Sequence, residues 1–89
     1  MIIRPSIRKD KRFEAIFPDN TKINFGLKGG NTFIDHGDKI KRENYLKRHI
    51  VNENWGNPKT AGSLSSMLLW GASKSLETNL KNFKKKFNV

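Results

Sequence analysis

Between Phe13 and Leu27 the strong apolar residues stand at odd positions: Phe13, Ala15 and Phe17, then Ile23, Phe25 and Leu27. Ile16 is the one break in the alternation. Successive side chains of a strand point to opposite faces, so two strands built from this segment keep a single apolar face only if odd residues pair with odd. Such a register needs a loop of odd length, and Pro18-Asp19-Asn20 supplies three residues. Pro suits the second position of a type I turn, and Asn20 then closes it in the left-handed region as a G1 bulge. The expected pairs are Phe17 with Thr21, Ala15 with Ile23 and Phe13 with Phe25.

The remaining chain reads as short elements around this hairpin. Lys28-Gly29-Gly30-Asn31 is a loop; it lacks the Walker pattern and a strand-to-helix crossover, so its glycines do not make a phosphate cradle. Thr32-Phe33-Ile34 reads as an optional third short strand, and residues 35–38 turn the chain. Asp38 is the expected N-cap of a helix over about 39–53. Ile40, Leu46, Ile50 and Val51 share its one broad apolar face, with Tyr45 off that stripe and Lys41, Arg42 and Arg48 elsewhere. A second helix is expected over about 58–70, capped by Asn57 with Pro58 in its first position and stopped at Gly71. Trp55 and Trp70 flank it. Ser73 or Ser75 caps a last helix over about 75–87, whose Leu76, Leu80, Phe83 and Phe87 recur at i, i+4, i+7 and i+11. The fold class is α+β: a hairpin, optionally with a third strand, followed by three helices in one domain over 13–89. Residues 1–12, with Pro5 interrupting Ile2, Ile3 and Ile7, lack a period and read as a basic arm, disordered or ordered only on a partner.

The net charge of +10 is concentrated. Residues 1–12, 39–49 and 79–89 each carry a net +4, and the rest of the chain is slightly negative. Three basic clusters separated by near-neutral chain suggest a surface for a polyanion. The side chains expected to contact it are Arg8, Lys9, Lys11 and Arg12 in the first cluster, Lys41, Arg42, Lys47 and Arg48 in the second, and Lys81, Lys84, Lys85 and Lys86 in the third. The simpler reading is a solubilising surface, and in the last helix the lysines also suit the negative end of the macrodipole. With 89 residues and 35% hydrophobic content there is one modest core. The chain has no cysteine, which removes disulfides and thiolate metal sites. No apolar run approaches the ~20 residues that span a bilayer, and Met1-Ile2-Ile3-Arg4-Pro5 is no signal peptide, so the expected setting is soluble and intracellular.

Catalytic patterns are weak. His49 and Glu53 are i, i+4 neighbours, and with His36 they could form a two-histidine, one-carboxylate metal site or, with Asn52, a nuclease-like constellation. A surface ion pair accounts for the same spacing. The serines fall in capping and small-residue contexts rather than in a triad. No catalytic residue, metal ligand or cofactor is therefore expected. Phe33, Tyr45 and Trp55 could stack bases beside the basic residues, although so small a chain needs most of its nine aromatics as core.

Arg48-His49, Glu53-Asn54-Trp55, Pro58, Thr60-Ala61-Gly62, Leu64-Ser65 and Leu69-Trp70 resemble the signature of a family of small basic proteins of unknown function encoded by large DNA viruses of algae and protists. The resemblance runs from about Arg8 to Phe87. Ser66 stands where that family suggests a basic residue, and Asn20 where it suggests a turn glycine. The resemblance implies a virion or an infected cell as the setting. The expected function is non-enzymatic binding of nucleic acid, DNA first, through phosphates and with little sequence preference, in genome packaging or condensation. The alternative is a minor capsid or scaffold component that binds acidic coat proteins, and a small metal-dependent nuclease ranks third.

Overall fold

The computed structural model describes all 89 residues as a small α+β domain, a three-stranded antiparallel sheet followed by helices. Strands β1 (Ile2–Pro5), β2 (Lys11–Ile16) and β3 (Lys22–Leu27) lie in that order across the sheet. The β2–β3 register is odd on odd: Phe13 faces Phe25 and Ala15 faces Ile23. Beyond the strand ends the Phe17 N–H donates to the Thr21 carbonyl at 2.9 Å, and Asn20 has φ 70°. The turn is thus the three-residue loop that the parity of the apolar positions requires.

Residues 1–12 are not an arm outside the fold. Ile2–Pro5 pairs with β2, Ile3 opposite Ala15 and Arg4 opposite Glu14. Pro5 is tolerated because β1 is an edge strand. Arg4 donates from Nε to the buried Glu14 carboxylate at 2.8 Å, so the charge on that otherwise costly residue is compensated. Only 6–10 remain as a tight turn, closed by the Ser6 N–H on the Arg12 carbonyl. A four-residue strand is too short to announce itself by period; the backbone partners that fix it lie on β2.

The expected strand at Thr32-Phe33-Ile34 is instead the start of a one-turn helix, α1 (Phe33–His36). The Asp35 carboxylate accepts both the Thr32 backbone N–H and its hydroxyl at 2.9 Å, which fixes the helix entry. Helix α2 (Lys39–Ile50) is capped by Asp38, whose carboxylate accepts from the Ile40 and Lys41 N–H groups, and it ends three residues sooner than its pattern suggests. Helix α3 spans 61–69, α-helical over Ala61–Leu64 and π-helical over Ser65–Leu69. Its cap is Thr60, which accepts from the Ser63 N–H, not Asn57. Asn57 closes a local turn by accepting from the Lys59 N–H, a bond that competes with helix initiation. Helix α4 (Leu76–Phe87) starts on the Ser75 cap.

The core lies between one face of the sheet, α3 and α4. Ala15, Phe17 and Phe25 meet Leu64, Leu68, Leu69 and Phe83, all at most 2% exposed, with Leu76, Leu80 and Phe87 packed around them. Asn79, 3% exposed, ties α4 to the end of α3 by donating to the Leu68 and Ser73 carbonyls. Gly71 is required at that junction, because a β-carbon there would stand 2.3 Å from the Met67 carbonyl oxygen.

Candidate nucleic-acid interface

The twelve basic side chains singled out by the sequence fall on three parts of the fold. Arg8 and Lys9 lie in the exposed β1–β2 turn, and Lys11 opens β2 opposite Leu27. Arg8 is 3.4 Å from Asp10, an exposed pair worth little. Arg12 is committed to the fold. Its two terminal nitrogens donate to the Asp35 carboxylate at 2.8 and 2.9 Å, joining the sheet to α1. That guanidinium, helped by the two Thr32 hydrogen bonds, holds the Asp35 carboxyl well below the usual carboxylate range against the opposing effect of burial.

On α2, Lys41, Lys47 and Arg48 are exposed, and none lies within ion-pairing distance of a carboxylate. Arg42 faces inward. Its Nε donates to the carbonyls of Trp70 and Gly71 at 2.9 and 3.0 Å, and its guanidinium lies 5.7 Å from the centre of the Phe33 ring. The orphan carbonyls at the end of α3 thus receive their donor from α2. Arg42 is a structural clamp.

On α4, Lys81, Lys84, Lys85 and Lys86 are all exposed and have no carboxylate partner. The Lys86 ammonium lies 5.5 Å from the Phe87 ring centre. A shallow groove of about 200 Å³ runs beside it, lined in part by Met67, Asn82 and Phe83. The first and third clusters lie toward opposite ends of β1. The Met1 nitrogen donates to the Val89 carbonyl at the α4 end, whereas Arg8 follows the far end of the strand. At about 3.3 Å per residue, Met1 and Ser6 stand about 16 Å apart along that edge.

Neutralisation within the molecule is nearly exhausted. Four of the eighteen Lys and Arg side chains form ion pairs: Arg4 with Glu14, Arg8 with Asp10, Arg12 with Asp35 and Lys59 with Asp19. Asp38 caps α2 and Glu53 serves His49 and Trp55, which leaves Glu43 and Glu77 with no such partner.

The histidines do not meet. The rings of His36, Trp70, Tyr45 and His49 form a ladder with successive centroid distances of 5.3, 4.3 and 4.0 Å, which puts the two imidazoles at its opposite ends. His36 accepts the Asp38 N–H at Nδ1, and its buried Nε2 has no hydrogen-bond partner. No three His, Asp or Glu side chains converge to hold a metal ion. Burial pushes the Tyr45 hydroxyl up to about 12, with the charge of Glu53 adding to the effect and that of Arg48 opposing it.

Glu53 is the hub of the central stretch. Its carboxylate pairs with His49 Nδ1 at 3.0 Å and accepts the indole N–H of Trp55 at 2.7 Å. It lies against Gly62, where a β-carbon would stand 2.7 Å from its carboxyl carbon. His49, Glu53, Trp55 and Gly62 are thus one contact set that pins the end of α2 to the start of α3.

The model of a family described as a family of unknown function, DUF5754, matches residues 1–49. The chain belongs to this family. In this DUF5754 protein the matched residues cover the whole sheet, α1 and α2 up to His49, and so take in the first two basic clusters. Glu53, Trp55, Gly62 and the lysine-rich α4 lie beyond the match. No curated protein and no solved structure matches the chain. The sequence pattern missed the structural work of Arg12 and Arg42. For Arg12 a signal existed in Thr32 and Asp35, whose spacing marks a helix start and an acidic partner.

Proposed function

We propose that this protein binds nucleic acid, DNA first, through phosphates, without catalysis and with little preference for sequence. The observation that carries the reading is α4: four lysines without a carboxylate partner, on a helix whose opposite stripe is anchored in the core. A helix fixed by Leu76, Leu80, Phe83 and Phe87 holds those charges at fixed spacing, as a phosphate backbone requires. Lys9 and Lys11 at the sheet end, with Lys41, Lys47 and Arg48 on α2, extend the positive surface. Arg12 and Arg42 act through the fold. Phosphate contacts carry no sequence information directly, so discrimination among duplex sequences is expected to be small. The proposed role is genome packaging or condensation in a virion or an infected cell, a reading supported by the resemblance to small basic proteins of large DNA viruses.

A second reading is favoured by one feature of α2. Ile40, Ile50 and Val51 are 71, 56 and 76% exposed among its basic residues. Aliphatic side chains interleaved with cations suit an acidic protein surface better than phosphates, as in a minor capsid or scaffold component.

Salt titration separates the two. With about five phosphate contacts on duplex DNA, log K should fall with log salt at a slope near −4 to −5. Replacing Lys84, Lys85 and Lys86 together by Gln should weaken binding uniformly across sequences and flatten the slope by about one unit per lysine in contact. Absence of a mobility shift at micromolar protein in low salt would overturn the nucleic-acid reading in favour of the acidic-protein partner.

A further inference from the structure

Of the aromatic side chains that could meet a base, two are already engaged. Phe33 is 5% exposed. Tyr45 is stacked on His49 at 4.0 Å and on Trp70 at 4.3 Å, with interplanar angles of 23° and 6°. Trp55 differs. It is partly exposed, it is not among the side chains packed on the core, and no aromatic ring or cation stacks on its indole. Tryptophan is highly buried on average, so one standing off the core of a chain this small is informative.

The indole is nevertheless held. Its N–H donates to Glu53 at 2.7 Å, and that carboxylate is itself fixed by His49 and by its fit against Gly62. The only polar atom of the ring is therefore satisfied at one edge, while the π-faces carry no partner ring. Through Glu53 and His49 the ring is joined to the last turn of α2, where Lys47 and Arg48 are exposed. An anchored aromatic ring joined to a helix turn that carries free cations is an arrangement that can receive an unpaired base together with its phosphates. In a duplex both faces of each base are covered by its neighbours, so such a platform selects single strands.

We infer that Trp55 is a stacking platform for an unpaired base and that, with Lys47 and Arg48, it makes this protein bind single-stranded nucleic acid in preference to duplex. The inference rests on the phosphate-binding reading above and adds a base contact to it.

The test uses the full chain and three labelled probes: a dT 20-mer, an abasic 20-mer with the same phosphates, and a 20-base-pair duplex. The dT strand should bind at least about tenfold more tightly than the abasic strand and should quench tryptophan emission, which the abasic strand should not do. Trp55→Ala should lose most of that advantage, with a larger loss on the dT strand than on the abasic strand or the duplex, and Trp55→Phe should keep most of it. Equal affinity for the dT and abasic strands, or a Trp55→Ala loss of equal size on all three probes, overturns the platform. The dT–abasic comparison needs no variant, so it stands even if Trp55→Ala fails to fold. Duplex binding with no difference between the dT and abasic strands would sink this inference alone. Failure to bind any probe in low salt would sink the phosphate-binding reading with it.

Discussion

Helices α2 and α4 have the same length and similar charge, and they are attached to the domain by different physics. α4 places Leu76, Leu80, Phe83 and Phe87 on or in the core and turns its lysines to water. α2 has no buried residue at all. What it turns inward is Arg42, Tyr45, Leu46 and His49, while Ile40, Ile50 and Val51 face solvent. α4 is therefore held mainly by removal of apolar surface from water, which needs no particular partner geometry, with Asn79 adding directional bonds to the end of α3. α2 is held by directional contacts: the Tyr45 stack on Trp70 and the Arg42 bonds to the carbonyls at the end of α3. An amphipathic pattern reports the first kind of attachment and is blind to the second.

The comparison breaks first, and most heavily, at Phe83. Its side chain is 2% exposed in the cluster that joins α4 to α3 and the sheet. Phe83→Ala should cost about 3–5 kcal/mol, a large share of the stability of any small domain. Urea denaturation followed by far-ultraviolet circular dichroism should show the whole transition moving to lower denaturant. A variant that kept its midpoint would mean that α4 is not part of the cooperative core.

The same contrast explains what could be read from the sequence and what could not. The hairpin was legible because parity and the three-residue turn together leave one register open, and the α4 stripe because four apolar residues recur at helical spacing. The inward face of α2 was misassigned except at Leu46. Ile40, Ile50 and Val51 outweigh Tyr45 and His49 on any hydropathy scale, yet the rings gain faces to stack on and the aliphatic residues do not. β1 was missed because four residues broken by Pro5 are too few to show a period. The α3 start was misplaced because Asn57-Pro58 and Thr60 are both sound start signals, and only the Asn57 side-chain bond to Lys59 decides between them. Of the candidate interface, the exposure of the α4 lysines was legible from their positions off the Leu76–Phe87 stripe. The withdrawal of Arg12 and Arg42 into the fold depends on Asp35 and on the end of α3, contacts over 23 and 28 or more residues.

Tyr45 tests the directional attachment. Removing its ring deletes two of the ladder's three contacts, the one to Trp70 outside α2 and the one to His49 within it, each worth about 0.5–1.5 kcal/mol beyond burial. Tyr45→Ala should therefore release α2 by about 1–3 kcal/mol without unfolding the sheet or α4, because local units can open below the global free energy. Amide hydrogen exchange resolves this. Protection should fall for residues 42–50 and persist at Phe25, Leu68 and Phe83. An equal fall at all of these positions would show that α2 and the core open as one unit, and the distinction between the two helices would then be one of contact chemistry only.

The smallest expected effect is the sharpest test of the face assignment. If Ile40 and Val51 point away from the domain, replacing both with Gln removes nothing from the folded core. Stability should then change by no more than about 0.5 kcal/mol, the usual range for surface substitutions. Were they instead the buried stripe that the sequence pattern suggests, two aliphatic side chains would be lost from an apolar contact at about 1.5–3 kcal/mol each, and α2 would detach. Thermal melts of the double variant separate these outcomes. The same variant bears on function, since it leaves Lys41, Lys47 and Arg48 in place. Unchanged duplex affinity would show that the phosphate surface works without the aliphatic residues between those cations, whereas weaker binding with an unchanged melt would make Ile40 and Val51 part of the recognition surface.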